Sequence, residues 1–308
     1  YNQVGNMGLF YTVLLAIGVL AFFAILPKKL LNKDYSEGFQ KSYFKFFYAA
    51  ILFLESIFSI AFCTYLLAKV FIPEANFIAL LGGIVLAIAI LSKVSPKDVM
   101  EISTLFNFLG YLLLLLCFLF LPNLDFTNLL PFKSINWWMV LFFFATIVCD
   151  NMTLLIHKKE IRFNKLNYIM GIFLSIILLG VEYFILVCIA GTEYFKNINW
   201  VGFVCFSIAP VSKYIGSFDF AYIYYILVSC IFKYAYNISL IRNSMKFSPK
   251  VMNFVMGGIL FSLGLYSYYT IPMDNQLMVI ASVLIALSGF ALFWMIKECY
   301  FVRKTKEQ

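Results

Sequence analysis

Residues 43–72 read YFKFFYAAILFLESIFSIAFCTYLLAKVFI, an apolar run that ends just before Pro73. A membrane-spanning helix needs about 20 predominantly apolar residues, with a range of roughly 17–25. The run therefore predicts a membrane helix that the proline closes, because the residue before a proline disfavours helical backbone angles. Glu55 stands near the middle of this run, at a depth where an ionisable side chain is costly.

The composition of the whole chain has the same character as this run. Of the 308 residues, 63% are hydrophobic and 12% are charged, whereas soluble domains carry about 45–50% apolar and about 25% charged residues. A soluble core cannot hide so much apolar surface from water. The composition predicts an all-α polytopic membrane protein, with residues 1–308 forming a single integral membrane domain. We expect the lipid bilayer to be a partner that surrounds the protein, and we expect no nucleic-acid partner.

Nine segments of the chain are long and apolar enough to be candidate spans, and prolines mark many of their ends. The third segment is the shortest and contains Gly82 and Gly83. In chain order the segments are Gly8–Leu26, Tyr43–Ile72, Asn76–Ser92, Ile102–Leu121, Asn136–Ile156, Asn167–Ala190, Asp219–Ile241, Val251–Ile271 and Asn275–Ile296.

The distribution of basic residues predicts the orientation of these spans. Seventeen of the 23 Lys and Arg residues fall in loops on one side of the nine-span arrangement, and three fall on the other side. Loops rich in Lys and Arg face the cytoplasm. We therefore expect a multi-pass protein of the inner (cell or spore) membrane, with its N-terminus outside and its C-terminus in the cytoplasm. The apolar stretch Asn199–Ser207 is too short to span and is expected to form a short outer helix.

Enzymatic and metal chemistry find no support in the sequence. The chain has one histidine, His157, and its seven cysteines form no CxxC pair. Neither a phosphate-binding GxxxxGK[ST] loop nor an HExxH motif occurs. We therefore expect no cofactor, no bound metal and no catalytic residues.

Four ionisable residues stand at membrane depth, namely Glu55, Asp150, Glu182 and Lys233. Asp150 and Lys233 lie about six and eight residues from the inner ends of their segments, which places them within about 3 Å in depth. Lys233 is therefore a candidate ion-pair partner for Asp150 or Glu55. The pair has two open interpretations, a structural pair that fixes the helix register or a site for a ligand or coupling ion. Glu182 lies nearer the outer end of its segment, from where it could reach water.

One extramembrane stretch carries a family resemblance. Residues 120–131 read FLPNLDFTNLLP, which resembles the P-x-x-D-x-x-N-L-L-P stretch of spore germination permeases of the GerAB type, within the amino acid–polyamine–organocation superfamily. The basic loop that begins Leu26-Pro27-Lys28-Lys29 and the stretch from Ala209 to Asp219 are also similar to that family. The resemblance implies an inverted-repeat, amino-acid-transporter-like fold of ten helices, of which this chain lacks the first.

The resemblance also implies a location for the site. Glu55, Asp150 and Lys233 then fall on helices that surround the central substrate site of this fold. Asn151 adds polarity beside Asp150 in a segment that has no Gly or Pro to break it, which favours sensing over transport. The implied function is a membrane subunit of a nutrient germinant receptor, which binds an amino acid or similar small nutrient and acts with other receptor membrane subunits. A proton- or cation-coupled amino-acid permease and a ligandless structural subunit are the alternatives.

Overall fold

The computed structural model describes residues 8–25, 44–68, 72, 74–117, 124–129, 144, 147–148, 165–194, 219–245, 249–270, 280, 283–287 and 289. All regular structure within these residues is helical, as the sequence predicts. In chain order the elements are α1 (Gly8–Ile25), α2 (Phe44–Leu66), α3 (Phe77–Leu91), α4 (Pro96–Cys117), a 3-10 turn (Phe126–Leu129), α5 (Lys165–Tyr194), α6 (Asp219–Met245) and α7 (Pro249–Thr270).

Four helices among the described residues are long and apolar enough to cross a membrane. They contain the stretches Lys45–Leu66, Pro96–Cys117, Ile169–Ile189 and Phe220–Asn243. Each of them coincides with one of the nine predicted segments. The predicted segments 136–156 and 275–296 lie largely outside the described residues, and so does the outer stretch 199–207.

Two helix ends differ from the predicted segments, and local hydrogen bonds explain both differences. Helix α2 ends at Leu66 rather than continuing to Ile72, because the Ile72 N–H donates to the Leu67 carbonyl in a wider turn ahead of Pro73. Helix α4 begins at Pro96, six residues before its predicted apolar segment. Ser95 caps it by accepting a hydrogen bond from the Asp98 N–H, and proline is favoured at the first helical position. Hydropathy locates apolar residues, not helix caps.

The chain divides into two compact units. Unit 1 comprises Tyr1–Pro27, Phe106–Phe144 and Asn164–Ile226, and unit 2 comprises Lys28–Leu105, Ala145–Phe163 and Leu227–Gln308. In unit 1, α1 and the 3-10 turn pack against α5. In unit 2, α2, α3 and α7 pack against one another.

Small residues set the closest helix contacts within each unit. In unit 2, Gly264 of α7 packs against Leu81 of α3, and Gly257 lies against Val85 and Ala89. Of the three glycines in α7, these two allow close packing, while Gly258 has no neighbour within 4 Å. In unit 1, Gly180 of α5 packs against Thr12 of α1 so closely that a side chain would collide there.

Candidate functional site

A buried ion pair joins α2 to α6 within unit 2. The Lys233 Nζ lies 3.3 Å from Oε1 of Glu55. The Glu55 side chain is 2% exposed, whereas the Lys233 side chain is 32% exposed. The predicted pairing of Lys233 with a carboxylate is therefore present, with Glu55 as its partner among the described residues. The arrangement holds a fixed negative charge in the interior and presents part of a cation to the outside of the unit.

Two further polar contacts connect the same two helices. Ser59 lies within interaction distance of Tyr234, and Cys63 lies within interaction distance of Cys230. We call these six residues the polar seam: Glu55, Ser59 and Cys63 on α2, and Cys230, Lys233 and Tyr234 on α6.

The spacing of the polar seam follows from helix geometry. Glu55, Ser59 and Cys63 recur every four residues, so they lie on one face of α2. Cys230, Lys233 and Tyr234 share a face of α6 in the same way. Later residues of α6 meet earlier residues of α2, as expected where two helices run antiparallel. The ion pair was predictable from the sequence, whereas the two neutral contacts were not predicted, although the four-residue spacing on α2 is a readable signal.

The other buried hydroxyls of α2 do not belong to the polar seam. Ser56 Oγ donates to the Leu52 carbonyl at 2.8 Å, and Thr64 Oγ1 donates to the Ile60 carbonyl at 2.7 Å. Such bonds to the preceding turn satisfy a hydroxyl within its own helix. These two side chains need no partner from another helix or from a ligand.

Asn237 extends the polar face of α6 by one more turn. It lies four residues after Lys233, on the same face of the helix. The side chain is 3% exposed, and its Nδ2 has no hydrogen-bond partner within the described part of the chain. An amide donor left without an acceptor in the interior costs about 1–3 kcal/mol. Asn237 is therefore a candidate ligand contact that the sequence analysis missed.

The structure describes only one of the other charged or polar residues that the sequence indicates. Asp150 and Asn151 lie outside the described residues. Glu182 belongs to unit 1 and is 3% exposed, so the expectation that it reaches water is wrong. The reason is its place on the face of α5 that packs inside unit 1. Among the described residues, no group of three His, Cys, Asp or Glu side chains is arranged to hold a metal ion.

The polar residues of the stretch that carries the family resemblance have a local structural role in unit 1. Asp125 Oδ1 accepts hydrogen bonds from the Thr127 hydroxyl at 2.7 Å and the Thr127 N–H at 3.0 Å. These two bonds lower the pKa of Asp125, with the hydroxyl as the larger cause. Asn128 Nδ2 donates to the Cys188 carbonyl at 2.9 Å. The Asp and Asn of the motif thus attach the 3-10 turn to the end of α5.

Gly191 interrupts the helical backbone near the end of α5, where the 3-10 turn attaches. Its backbone angles, φ 72° and ψ 168°, belong to a region that only glycine adopts readily. The Cys188 carbonyl, three residues before this break, accepts from both Asn128 Nδ2 and the Asp125 N–H. The stretch is therefore a structural clamp in unit 1.

A buried arginine holds the end of α3 in unit 2. The Arg242 guanidinium donates to the carbonyls of Ser92 and Val94, the latter at 3.0 Å. The Ser239 hydroxyl also donates to the Val94 carbonyl, at 2.8 Å. The last carbonyls of a helix lack intrahelical donors, and a cation there is favoured by the helix dipole. Arg242 therefore fixes α6 to the α3 terminus.

The polar seam combines a buried carboxylate with a partly exposed ammonium, and these charges complement each other and also those of a zwitterion. Comparisons of the chain with known protein families, with curated proteins and with solved structures return no match.

Proposed function

We propose that this protein is a membrane subunit of a nutrient germinant receptor, and that it binds an amino acid or a similar small nutrient at the polar seam. The observation that carries the proposal is the ion pair between a buried Glu55 and a partly exposed Lys233. Membrane-depth charges are rare and commonly mark ligand or ion sites. The likeness of residues 120–131 to germination permeases supplies the physiological role.

The polar seam offers complementary groups for both ends of an amino acid. An amino-acid zwitterion carries a carboxylate and an ammonium, which match the Lys233 ammonium and the Glu55 carboxylate. An ammonium has three donors and a carboxylate about four acceptor sites, so each group can hold its partner and a ligand together. The Asn237 amide donor lies one turn further along α6, where a ligand oxygen would give it an acceptor.

Two other functions remain as alternatives. The first is a proton- or cation-coupled amino-acid permease, for which the inverted-repeat transporter fold would be required. The second is a ligandless structural subunit, in which the pair between Glu55 and Lys233 only fixes the register of α2 against α6. The absence of Gly and Pro from residues 136–156 favours sensing over transport, because half-helix ends at a break commonly form the substrate site of such transporters.

Ligand-dependent thermal stabilisation of the purified protein tests binding. A ligand that binds only the folded state stabilises it by about 2.7 kcal/mol at 100 times its Kd. We expect at least one of the twenty common amino acids to raise Tm, and we expect the double variant Glu55→Gln/Lys233→Met to fold without that response. A response that survives in the double variant would show that the polar seam is structural.

A matched control is available in the same unit. Lys97 and Glu101 form an exposed pair on α4, at 3.7 Å, with side chains 39% and 61% exposed. The variant Lys97→Met/Glu101→Gln removes the same charges from the surface and should keep the full ligand response. Uptake of labelled amino acid into proteoliposomes by the wild-type protein would favour the permease. Spores that carry the double variant should fail to germinate on the nutrient that the wild-type protein binds.

A further inference from the structure

Unit 1 contains a buried carboxyl that the proposed function does not use. Glu182 lies within the apolar stretch Ile169–Ile189 of α5. It is as deeply buried as Glu55, at 3% exposure. Its surroundings are different, because unit 1 offers no counterpart of Lys233 among the residues that the structure describes.

The Glu182 carboxyl has no ion-pair partner in the described part of unit 1. Its Oε1 has no hydrogen bond. The one cationic residue described in unit 1 is Lys165, at the start of α5. Lys165 precedes Glu182 by 17 residues, which is about 25 Å along a helix. No cation along α5 therefore neutralises this carboxyl.

The elements packed around Glu182 bring little charge to it. Helix α1 contributes Thr12 near Gly180, and the described part of α1 contains no charged side chain. Helix α4 contributes the buried thiol of Cys117, which is close enough to interact electrostatically with Glu182. The 3-10 turn is preceded by Asp125, whose carboxylate is exposed and bonded to Thr127. Cys117 and Asp125 are both acids, so neither of them supplies a cation to Glu182.

A carboxylate without a cation or a donor in the interior is strongly unfavourable, and such a group takes up a proton instead. A protonated carboxylic acid is still a poor choice for a purely structural position, since an apolar side chain would fill the same space without an unsatisfied oxygen. We propose that Glu182 is a proton-binding site of unit 1, which holds its proton in this packing and releases it when a rearrangement brings water to the carboxyl.

The proposal is independent of ligand binding at the polar seam, because Glu55 and Lys233 belong to unit 2. We expect Glu55 and Glu182 to have opposite protonation states in the same chain. Glu55 is a carboxylate held by Lys233, whereas Glu182 is a neutral acid. A reagent that distinguishes the two forms therefore tests the assignment with an internal control.

Dicyclohexylcarbodiimide is such a reagent, because it enters apolar regions and reacts with the protonated acid. The acid adds across one C=N bond of the carbodiimide, its proton moves to nitrogen, and an acyl shift gives a stable N-acylurea with no leaving group. In the full-length protein in liposomes at neutral pH, we expect the adduct on the peptide with Glu182 and not on the peptide with Glu55. Glu182→Gln should lose the adduct and Glu55→Gln should keep it.

Two further results sharpen the test. Labelling of Glu182 should fall as the pH is raised, because the carboxylate does not react. Lys233→Met should make Glu55 reactive, which shows that the reagent reaches unit 2. An adduct on Glu55 but not on Glu182 in the wild-type protein would overturn the proposal, and so would labelling of Glu182 that does not change with pH.

Infrared spectroscopy gives a readout that does not depend on access of the reagent. The carbonyl stretching band of a protonated carboxylic acid should be present in the wild-type protein, disappear at alkaline pH, and be missing in Glu182→Gln. If no adduct forms but the band behaves in this way, the proposal stands. If Glu182→Gln has the same band as the wild-type protein, Glu182 is not the protonated group and the proposal is wrong.

Discussion

The two buried glutamates, Glu55 and Glu182, differ in their electrostatic surroundings. Glu55 lies 3.3 Å from an ammonium, whereas Glu182 has no ion-pair partner among the described residues of its unit. Isolated buried charge is much more costly than a buried pair. The pair is therefore best understood as one electrostatic unit, whose members cannot be replaced singly without leaving a charge behind. This property gives the first prediction.

Replacing Lys233 alone should destabilise the protein more than replacing both members of the pair. Lys233→Met leaves Glu55 buried without its cation. A stranded charge costs on the order of 3–5 kcal/mol, and uptake of a proton by Glu55 lowers this cost without removing it. Glu55→Gln/Lys233→Met removes both charges and should be considerably more stable than Lys233→Met. Unfolding curves in mild detergent, measured for the two single variants and the double variant, give the coupling energy. Strictly additive effects would mean that the two side chains do not interact.

Asp125 provides a pH-dependent contact outside the membrane spans. Its hydrogen bonds from Thr127 lower its pKa, so they stabilise the folded state when the carboxyl is charged. This contribution is complete above about pH 3.9, the ordinary pKa of aspartate, and is lost as the pH falls below it. We expect Asp125→Asn to reduce the loss of Tm on acidification. Thr127→Val, which removes the larger of the two donors, should reduce it in part, and unchanged acid profiles in both variants would contradict the assignment.

At the scale of the elements, glycines decide where helices touch. A side chain at position 180 would place its Cβ 2.5 Å from Cγ2 of Thr12, whereas Gly171 of the same helix has no neighbour within 4 Å. Close approach between α1 and α5 therefore depends on Gly180 and not on Gly171. Gly171 therefore provides a control, in the same helix, for a substitution of Gly180.

Gly180→Ala should push α1 away from α5. Overpacking of this kind costs about 1–3 kcal/mol, which exceeds the gain of up to about 1 kcal/mol from replacing a helical glycine by alanine. Gly171→Ala should show only the gain. Adding Thr12→Ala to Gly180→Ala removes the methyl that collides and should restore most of the lost stability. Thermal unfolding of the four proteins measures these effects, and a destabilised Gly171→Ala would refute the steric explanation.

A contact between helices can be predicted from the sequence only where one of its residues differs clearly from the residues around it. Lys233 and Glu55 were recognisable because a charge inside an apolar run is conspicuous. Tyr234 and Ser59 were not, because a neutral hydroxyl in a membrane helix usually bonds to its own backbone, as Ser56 does. Contacts between helices depend on the rotation of each helix, which a single sequence does not specify.

At the scale of the whole molecule, the outward surface is apolar. Only 24% of the apolar stretch of α4 is buried inside the protein. Leu105, Phe108, Leu112 and Leu115 form an exposed stripe on this helix. Such a stripe would be a liability in water, but lipid tails solvate it without penalty. A bilayer therefore suits this arrangement as its solvent, and the positive-inside rule predicts in which direction each span would cross it.

Helix α3 is the decisive element for orientation. Its 15 residues extend about 22 Å, which is less than the hydrocarbon core of about 30 Å. The positive-inside rule nevertheless places Glu74, before α3, outside and Lys93, after it, in the cytoplasm. Both side chains are exposed. A short helix can satisfy this arrangement by local thinning of the bilayer and by snorkelling of flanking residues.

Single cysteines at these two positions test the orientation directly. In a background without the seven native cysteines, we expect a membrane-impermeant maleimide added to intact cells to label Glu74→Cys and not Lys93→Cys. Lys93→Cys should react only after the membrane is opened. Labelling of both from outside would mean that α3 re-enters the same face. The cytoplasmic placement of every later basic loop would then reverse, because each following span would cross in the opposite direction.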